Sequence, residues 1–265
     1  MSINREQTIV SCHTPTKMLQ THLVGLCVLL CTCSLGFVAA NANETRLTVA
    51  VGNTLPPYSI AEFSAGIELD IVRTALYNQG YQAEFFYVPF ARLKPTLLSD
   101  LADAALTLKR VDINDGIYYS EPHIQFENVV VTLKSKNIDI TSVEDLQTMS
   151  VLAFQNATVN LGPDFAAVAK ENARYWEIAN QQSQVSMLFL QRSDALVIDR
   201  RIFDYYHQRL SPQFHATAVT YHPIFEPTDY HVGFTSKTVR DDFNTALEKM
   251  HDSGEYQQIL DKYSR

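Results

Sequence analysis

Ser193-Asp194-Ala195-Leu196-Val197-Ile198-Asp199 runs directly into Arg200-Arg201-Ile202-Phe203. Residues 195–198 are a continuous apolar run, which suits a strand buried inside a helix-covered sheet. The segment 200–210 then reads as a helix. Asp199 is the residue at the changeover. In open α/β sheets the ligand crevice lies outside the carboxyl ends of the strands, so Asp199 is a candidate binding residue. Aspartate is equally a favoured helix N-cap, and both readings stand. Asp194, ahead of the strand, reads as a turn residue.

The same alternation extends outward. Toward the amino end, strands are expected at 46–51, 84–88, 104–107, 128–133, 150–154 and 175–178. Helices are expected at 68–78, 92–101, 161–172 and 181–191. Leu93, Leu97, Leu98 and Leu101 form the expected buried stripe of the second helix. Pro56-Pro57 marks a loop and Gly80 a helix stop. Ser142 is a capping-type residue opening a short helical segment over 142–146. Toward the carboxyl end, a strand at 230–235 precedes helices at 239–250 and 255–263. Alternating β and α elements predict an α/β fold whose parallel strands are covered by helices.

The only long apolar run, 23–40, carries no charge, follows Lys17 and ends at Ala40-Asn41-Ala42. A small-x-small site after such a run predicts a cleavable signal peptide over residues 1–42. An uncleaved anchor is the alternative, since the run is just long enough to span a bilayer. Met18 is an alternative start to Met1. All four cysteines, Cys12, Cys27, Cys31 and Cys33, fall inside this leader. The mature chain is therefore expected to lack disulfides, thiolate nucleophiles and cysteine metal sites. Leu26, Leu30 and Thr32 precede three of them, where a lipoprotein needs a small residue. A cysteine-free exported protein suits a bacterial periplasm.

Removing 42 of 265 residues leaves 223, enough for two lobes of about 100 residues each. The leader carries Arg5, Lys17 and Glu6, so its loss takes the formal charge from −8 to −9. An acidic chain argues against non-specific nucleic-acid binding. No G-x-S-x-G, P-loop, G-x-G-x-x-G or His pair at metal spacing occurs, so no catalytic residue, metal or cofactor is expected.

Four short words recur in order: Pro56-Pro57-Tyr58, Gly66-Ile67-Glu68-Leu69-Asp70, Tyr119-Ser120-Glu121-Pro122 and Ser193–Asp199. A closing stretch runs from Asp242-Phe243-Asn244 through Ser253-Gly254-Glu255-Tyr256 to Lys262-Tyr263. Their order and spacing resemble the extracellular solute-binding proteins of family 3, over nearly everything after residue 46. The resemblance implies a two-lobed type 2 periplasmic-binding-protein fold, each lobe a mostly parallel sheet flanked by helices. It places lobe I at 43–125, lobe II at 126–228 and the rest of lobe I at 229–265. The chain would cross between lobes near 124–126 and 226–229. A cleft between lobes is where small ligands generally bind.

The resemblance also implies site residues. Asp199 would hold a ligand ammonium group. Thr107 and Arg110 have the spacing of a carboxylate clamp, but the segment is displaced relative to Asp103 and Ser120. Phe90-Ala91-Arg92 resembles a Trp-x-Arg word of divergent members, so Arg92 competes with Arg110 as the clamp. Asn156 and Thr158, between a strand and a helix, suit either an anion site or a plain N-cap. Asn156 stands where relatives usually have Gly. Tyr58 suits either stacking on the ligand or packing at the lobe rim. The implied function is a monomeric periplasmic binding protein that presents a small polar ligand to the membrane permease of an ABC importer. A sensory protein docking on a membrane receptor is the alternative, and a dehydratase-like enzyme on the same fold the third reading.

Overall fold

The computed structural model describes residues 45–110 and 115–264. The leader expected at 1–42, with all four cysteines, lies outside the described residues. Among the described residues, no helix is long and apolar enough to cross a membrane.

Strand β1 (Thr45–Gly52) is buried from Val49 onward. Its outgoing loop docks on helix α1 (Ile67–Tyr77). The carbonyls of Pro57 and Tyr58 accept the N–H groups of Ile67 and Glu68 at 2.9 and 3.1 Å. Those first-turn donors have no partner within a helix, so the loop caps it. Gly66 makes this approach possible. Its φ of 133° and ψ of 163° lie in a region that is essentially glycine's alone. A Cβ there would stand 2.3 Å from the Tyr58 carbonyl oxygen.

Strand β2 (Tyr81–Val88), helix α2 (Leu93–Leu98), strand β3 (Ala104–Leu108) and strands β4 (Tyr118–Tyr119) and β5 (Ile124–Phe126) follow. Then come β6 (Asn128–Leu133), β7 (Val151–Phe154), α3 (Ala157–Asn160), α4 (Pro163–Glu171) and β8 (Tyr175–Ile178). Helix α5 (Gln181–Phe189), strand β9 (Ala195–Asp199), helix α6 (Arg200–His207) and strand β10 (Val219–His222) succeed them. Strand β11 (Thr228–Phe234) and helices α7 (Lys237–Ser253) and α8 (Glu255–Lys262) complete the order.

Two sheets result. The first runs β2-β1-β3-β11-β4, with β5 also paired to β11; the second runs β10-β6-β9-β7-β8. Both are mixed rather than mostly parallel. β11 runs antiparallel to β3, β4 and β5, and β6 runs antiparallel to β9 and β10. Alternating side chains bury both faces. In the second sheet Val129 and Val131 face α5 and α6, while Val130 faces the α4 side with Phe165. In the first sheet α1 and α7 cover one face, and Leu93 and Leu97 of α2 cover the other. The largest apolar cluster is continuous between the sheets, through Ile124 and Phe126 of β5.

Several local expectations need correction. The helix expected at 161–172 is α4, opened at Pro163 after Gly162 at φ 92°, and the short helix α3 ahead of it was not expected. The stripe on α2 is narrower than its leucines suggest. Leu98 and Leu101 are 51% and 69% exposed, because the helix stops at Leu98 and Asp100 turns the chain at φ 55°. Ser142 is not the cap of its segment. The turn runs Glu144–Thr148 with no side-chain cap, and the Asp145 carboxylate reaches back to accept the N–H groups of Thr141 and Ser142 ahead of it. Strands β4, β5 and β10 were not expected, being short and weakly patterned.

Gly66→Ala should lose about 2–4 kcal/mol, from backbone strain and from crowding the Tyr58 carbonyl. Urea unfolding would show a lower midpoint at unchanged slope. A loss under about 0.5 kcal/mol, the scale of an ordinary surface change, would reject this account of the loop.

Candidate functional site: the polar cluster between the two sheets

The chain leaves the first sheet after β5 and returns at β11, and these two segments pair: Phe126 with Thr228, Gln125 with Asp229, Ile124 with Tyr230. Tyr58, from the loop after β1, lies on this pair. Its ring stacks on Phe126 at 3.9 Å and 18°, and Phe126 in turn meets Tyr230 at 4.7 Å. The Tyr58 hydroxyl donates to Asp199 Oδ1 at 2.9 Å. One residue from each sheet thus meets in a contact with no solvent exposure at Tyr58 and 3% at Asp199.

Asp199 ends β9 and caps α6. Its Oδ1 also accepts the Ile202 N–H at 3.1 Å, and Oδ2 accepts the Glu127 N–H at 2.9 Å. Burial pushes its carboxyl up to about 6, against the pull of the Ile202 N–H, the Tyr58 hydroxyl, the Glu127 N–H and the charge of Arg201. Burial, and next the Asp199 charge, push the Tyr58 phenol well above its usual range. The Arg201 guanidinium donates to the Gln125 carbonyl at 3.2 Å and lies beside both groups.

A second buried group adjoins the first. Glu68, on the first turn of α1, is 2% exposed and accepts the Thr107 hydroxyl at 3.0–3.1 Å. His123, fully buried, stands with Nε2 2.9 Å from Glu68 Oε1 and Nδ1 3.0 Å from the Tyr230 carbonyl. A carbonyl only accepts, so Nδ1 is the donor toward Tyr230, and Nε2 is left facing Glu68. Thr107 has φ 57°, a true outlier for a β-branched residue. The cause is a bulge. Leu108 pairs with His231 and Ala105 with Gly233, so Leu106 and Thr107 together oppose Val232. Bulges of this kind re-aim the residues that follow them.

The remaining expected residues lie apart from that contact. Asn156 takes φ 64° at the start of α3, a conformation Asn enters more readily than most residues. Its N–H and those of Thr158, N–H and hydroxyl, all donate to the Glu177 carboxylate at 2.6–3.0 Å. The negative charge at this turn is thus the chain's own. Burial opposes the Glu177 charge, yet these donors and the Tyr175 hydroxyl hold its carboxyl below the usual range. Phe90 is 42% exposed, its ring against Gly52 at the end of β1. Arg92 is exposed on the turn Phe90–Arg92, and Arg110 is exposed after β3. Tyr58 and Asp199 are therefore brought together directly, with Thr107 joined through the neighbouring Glu68 group.

Four residues of this region escaped the sequence reading. Glu68 lay inside a quoted word, with nothing local to mark it as buried. His123 follows Ser120-Glu121-Pro122 and carried no spacing signal. Arg201 and Glu177 fell within segments read only as a helix and a strand, with no motif to mark either side chain.

Two mixed sheets flanked by helices, joined by two antiparallel crossing strands, define the class: a type 2 periplasmic-binding-protein fold. Residues 47–265 match the bacterial extracellular solute-binding proteins, family 3, and the chain belongs to that family, as its four words indicated. An ancestral arginine-binding protein bound to glutamine is 22% identical, with TM-score 0.62 over 83% of this chain and 98% of that one. An ancestral cationic amino acid solute binding protein is 18% identical, with TM-score 0.67 over 84% and 97%. A histidine kinase sensor domain with similarity to periplasmic binding proteins is 14% identical, with TM-score 0.64 over 83% and 97%. At these identities the likeness is one of fold.

The raised carboxyl of Asp199 has a signed consequence. Between its ordinary value of about 3.9 and about 6, the folded chain holds a proton that the unfolded chain has lost. Stability from this group is greatest below that window and falls as pH rises through it, by roughly 3 kcal/mol. Urea unfolding from pH 4 to pH 7 should show this decline in wild type and not in Asp199→Asn. Parallel pH profiles for the two proteins would refute it.

Proposed function

We propose that this protein is a periplasmic solute-binding protein of an ABC-type importer. It closes two lobes on a small polar ligand, an amino acid or a related amine or carboxylate. The observation that carries this reading is the meeting of strand ends from both sheets. The loop after β1 reaches the end of β9 through Tyr58 and Asp199. The segment after β3 reaches α3, which follows β7, through Lys109 and Asn160. A crevice at the carboxyl ends of strands is where such sheets take ligands. The family's description as extracellular, with the Ala40-Asn41-Ala42 site, supports export and a mature start near Asn43. The pairing of β5 with β11 supports lobe limits at 43–125, 126–228 and 229–265. The partner is the importer's membrane permease, and the binding protein acts as a monomer.

A sensory role on the same fold is the second reading, favoured by the likeness to a histidine kinase sensor domain. Loss of solute uptake in a deletion strain marks the importer; loss of a signalling response with uptake intact marks the sensor.

Ligand binding is tested by thermal shift against amino acids, amines and small carboxylates. A ligand at about 100 times its dissociation constant should add roughly 2.7 kcal/mol to stability. Small-angle scattering should then show a smaller radius of gyration in the bound form, as hinge closure requires. A saturating ligand that leaves the radius unchanged would reject closure.

A further inference from the structure

We infer, resting on the solute-binding reading above, that Lys109 is the anion-binding residue of the cleft. Its solute is then a small carboxylate that needs no α-ammonium group.

Lys109 is the first residue past β3, just beyond the bulge at Thr107. Its Nζ lies 5.7 Å from the centre of the Tyr230 ring and 3.4 Å from Asn160 Oδ1. Tyr230 is on β11 of the first sheet, and Asn160 ends α3 beside the second. The ammonium group therefore stands between β11 of the first sheet and α3 beside the second.

Its partners are an amide oxygen at long range and a ring face. Lys94, Lys237 and Lys262 each sit 2.6–2.8 Å from an aspartate. Among the described residues, Lys109 has no such carboxylate. Burial lowers its pKa, which marks an ammonium group partly stripped of water. Such a cation has donors to give, and an anion bound there gains more than it would at the surface.

The matching anion is closed. All the contacts of Asp199 are made within the chain, by Tyr58, Ile202 and Glu127, and it is 3% exposed. A ligand ammonium would have to displace the Tyr58 hydroxyl. Arg201 donates to the Gln125 carbonyl and lies against the same Tyr58–Asp199 pair. Asp199 is thus closed to a ligand ammonium, and the other carboxylate beside α3, Glu177, is taken up by Asn156, Thr158 and Tyr175. An α-amino acid would bring its ammonium group to carboxylates already engaged.

The test is calorimetric titration with mono- and dicarboxylates from acetate to adipate, each beside its α-amino counterpart and the corresponding amine. The best carboxylate should bind at least as tightly as its amino counterpart, and the amine should not bind. Lys109→Met should weaken the carboxylate by at least about 30-fold, while Lys109→Arg retains most of the affinity. Lys109→Gln serves as the neutral variant if Lys109→Met fails to fold. Tenfold tighter binding of the amino counterpart would overturn the inference, as would a neutral variant that binds like wild type. If only amines or neutral solutes bind, this inference fails and the solute-binding reading stands. If no class of solute binds wild type, both fail.

Discussion

Tyr58 ties the two sheets, and much of the surrounding geometry depends on it. A buried phenol and a buried carboxylate are each unfavourable alone, and the hydrogen bond between them offsets part of both penalties. The stack on Phe126 adds about 0.5–1.5 kcal/mol beyond its area. Asp199 then fixes two further points, the start of α6 through Ile202 and the entry to β6 through Glu127. Tyr58 is itself held by α1, whose first N–H groups its loop caps, and by Gly66, whose missing side chain leaves room. A hydroxyl, a carboxylate and a glycine thereby set the relation of one helix start to another across the crossing strands.

The second buried group has a different part. Glu68 gathers a hydroxyl from β3 and an imidazole from the entry to β5, and His123 reaches onward to β11. Helix α1 and three strands of the first sheet, β3, β5 and β11, thus meet around one carboxylate beneath the crossing strands. The C-terminal helix closes the far side: Tyr263 and Lys262 both donate to Asp70, and the Tyr256 hydroxyl donates to the His123 carbonyl. Apolar packing holds each sheet to its helices, but these directional contacts choose how α1, β3, β5 and α8 meet. Buried polar groups of this kind fix arrangement more than they add stability.

The main elements were legible because their patterns are strong. The run 195–198, the apolar face of α1 and the Pro56-Pro57 break each have one good structural solution, and together they gave the alternation of strands and helices. The short strands β4, β5 and β10 were illegible, since two to four residues make no period. The order of antiparallel neighbours is set by partners far away in sequence, so both sheets were expected to be mostly parallel. In the site, Asp199 was found because it stands at a strand end. Its pairing with Tyr58 was not, because a contact across 141 residues leaves no local trace. The Glu177 carboxylate on the Asn156 turn was hidden for the same reason.

The bulge in β3 reaches further than its own strain. Side chains along a strand alternate, so one added residue exchanges the two faces for everything downstream. Length between Ala105 and Lys109, and not only residue type, decides which cation points toward the second sheet. Removing one residue at 106–107 would retire Lys109 and turn its neighbour inward, with no substitution in the cleft. Ligand preference among related chains can therefore drift by insertion and deletion. Two such chains matched residue for residue through this segment would pair side chains that face opposite ways. The sound reference for comparing clefts is the backbone pairing of Ala105 with Gly233, which precedes the extra residue.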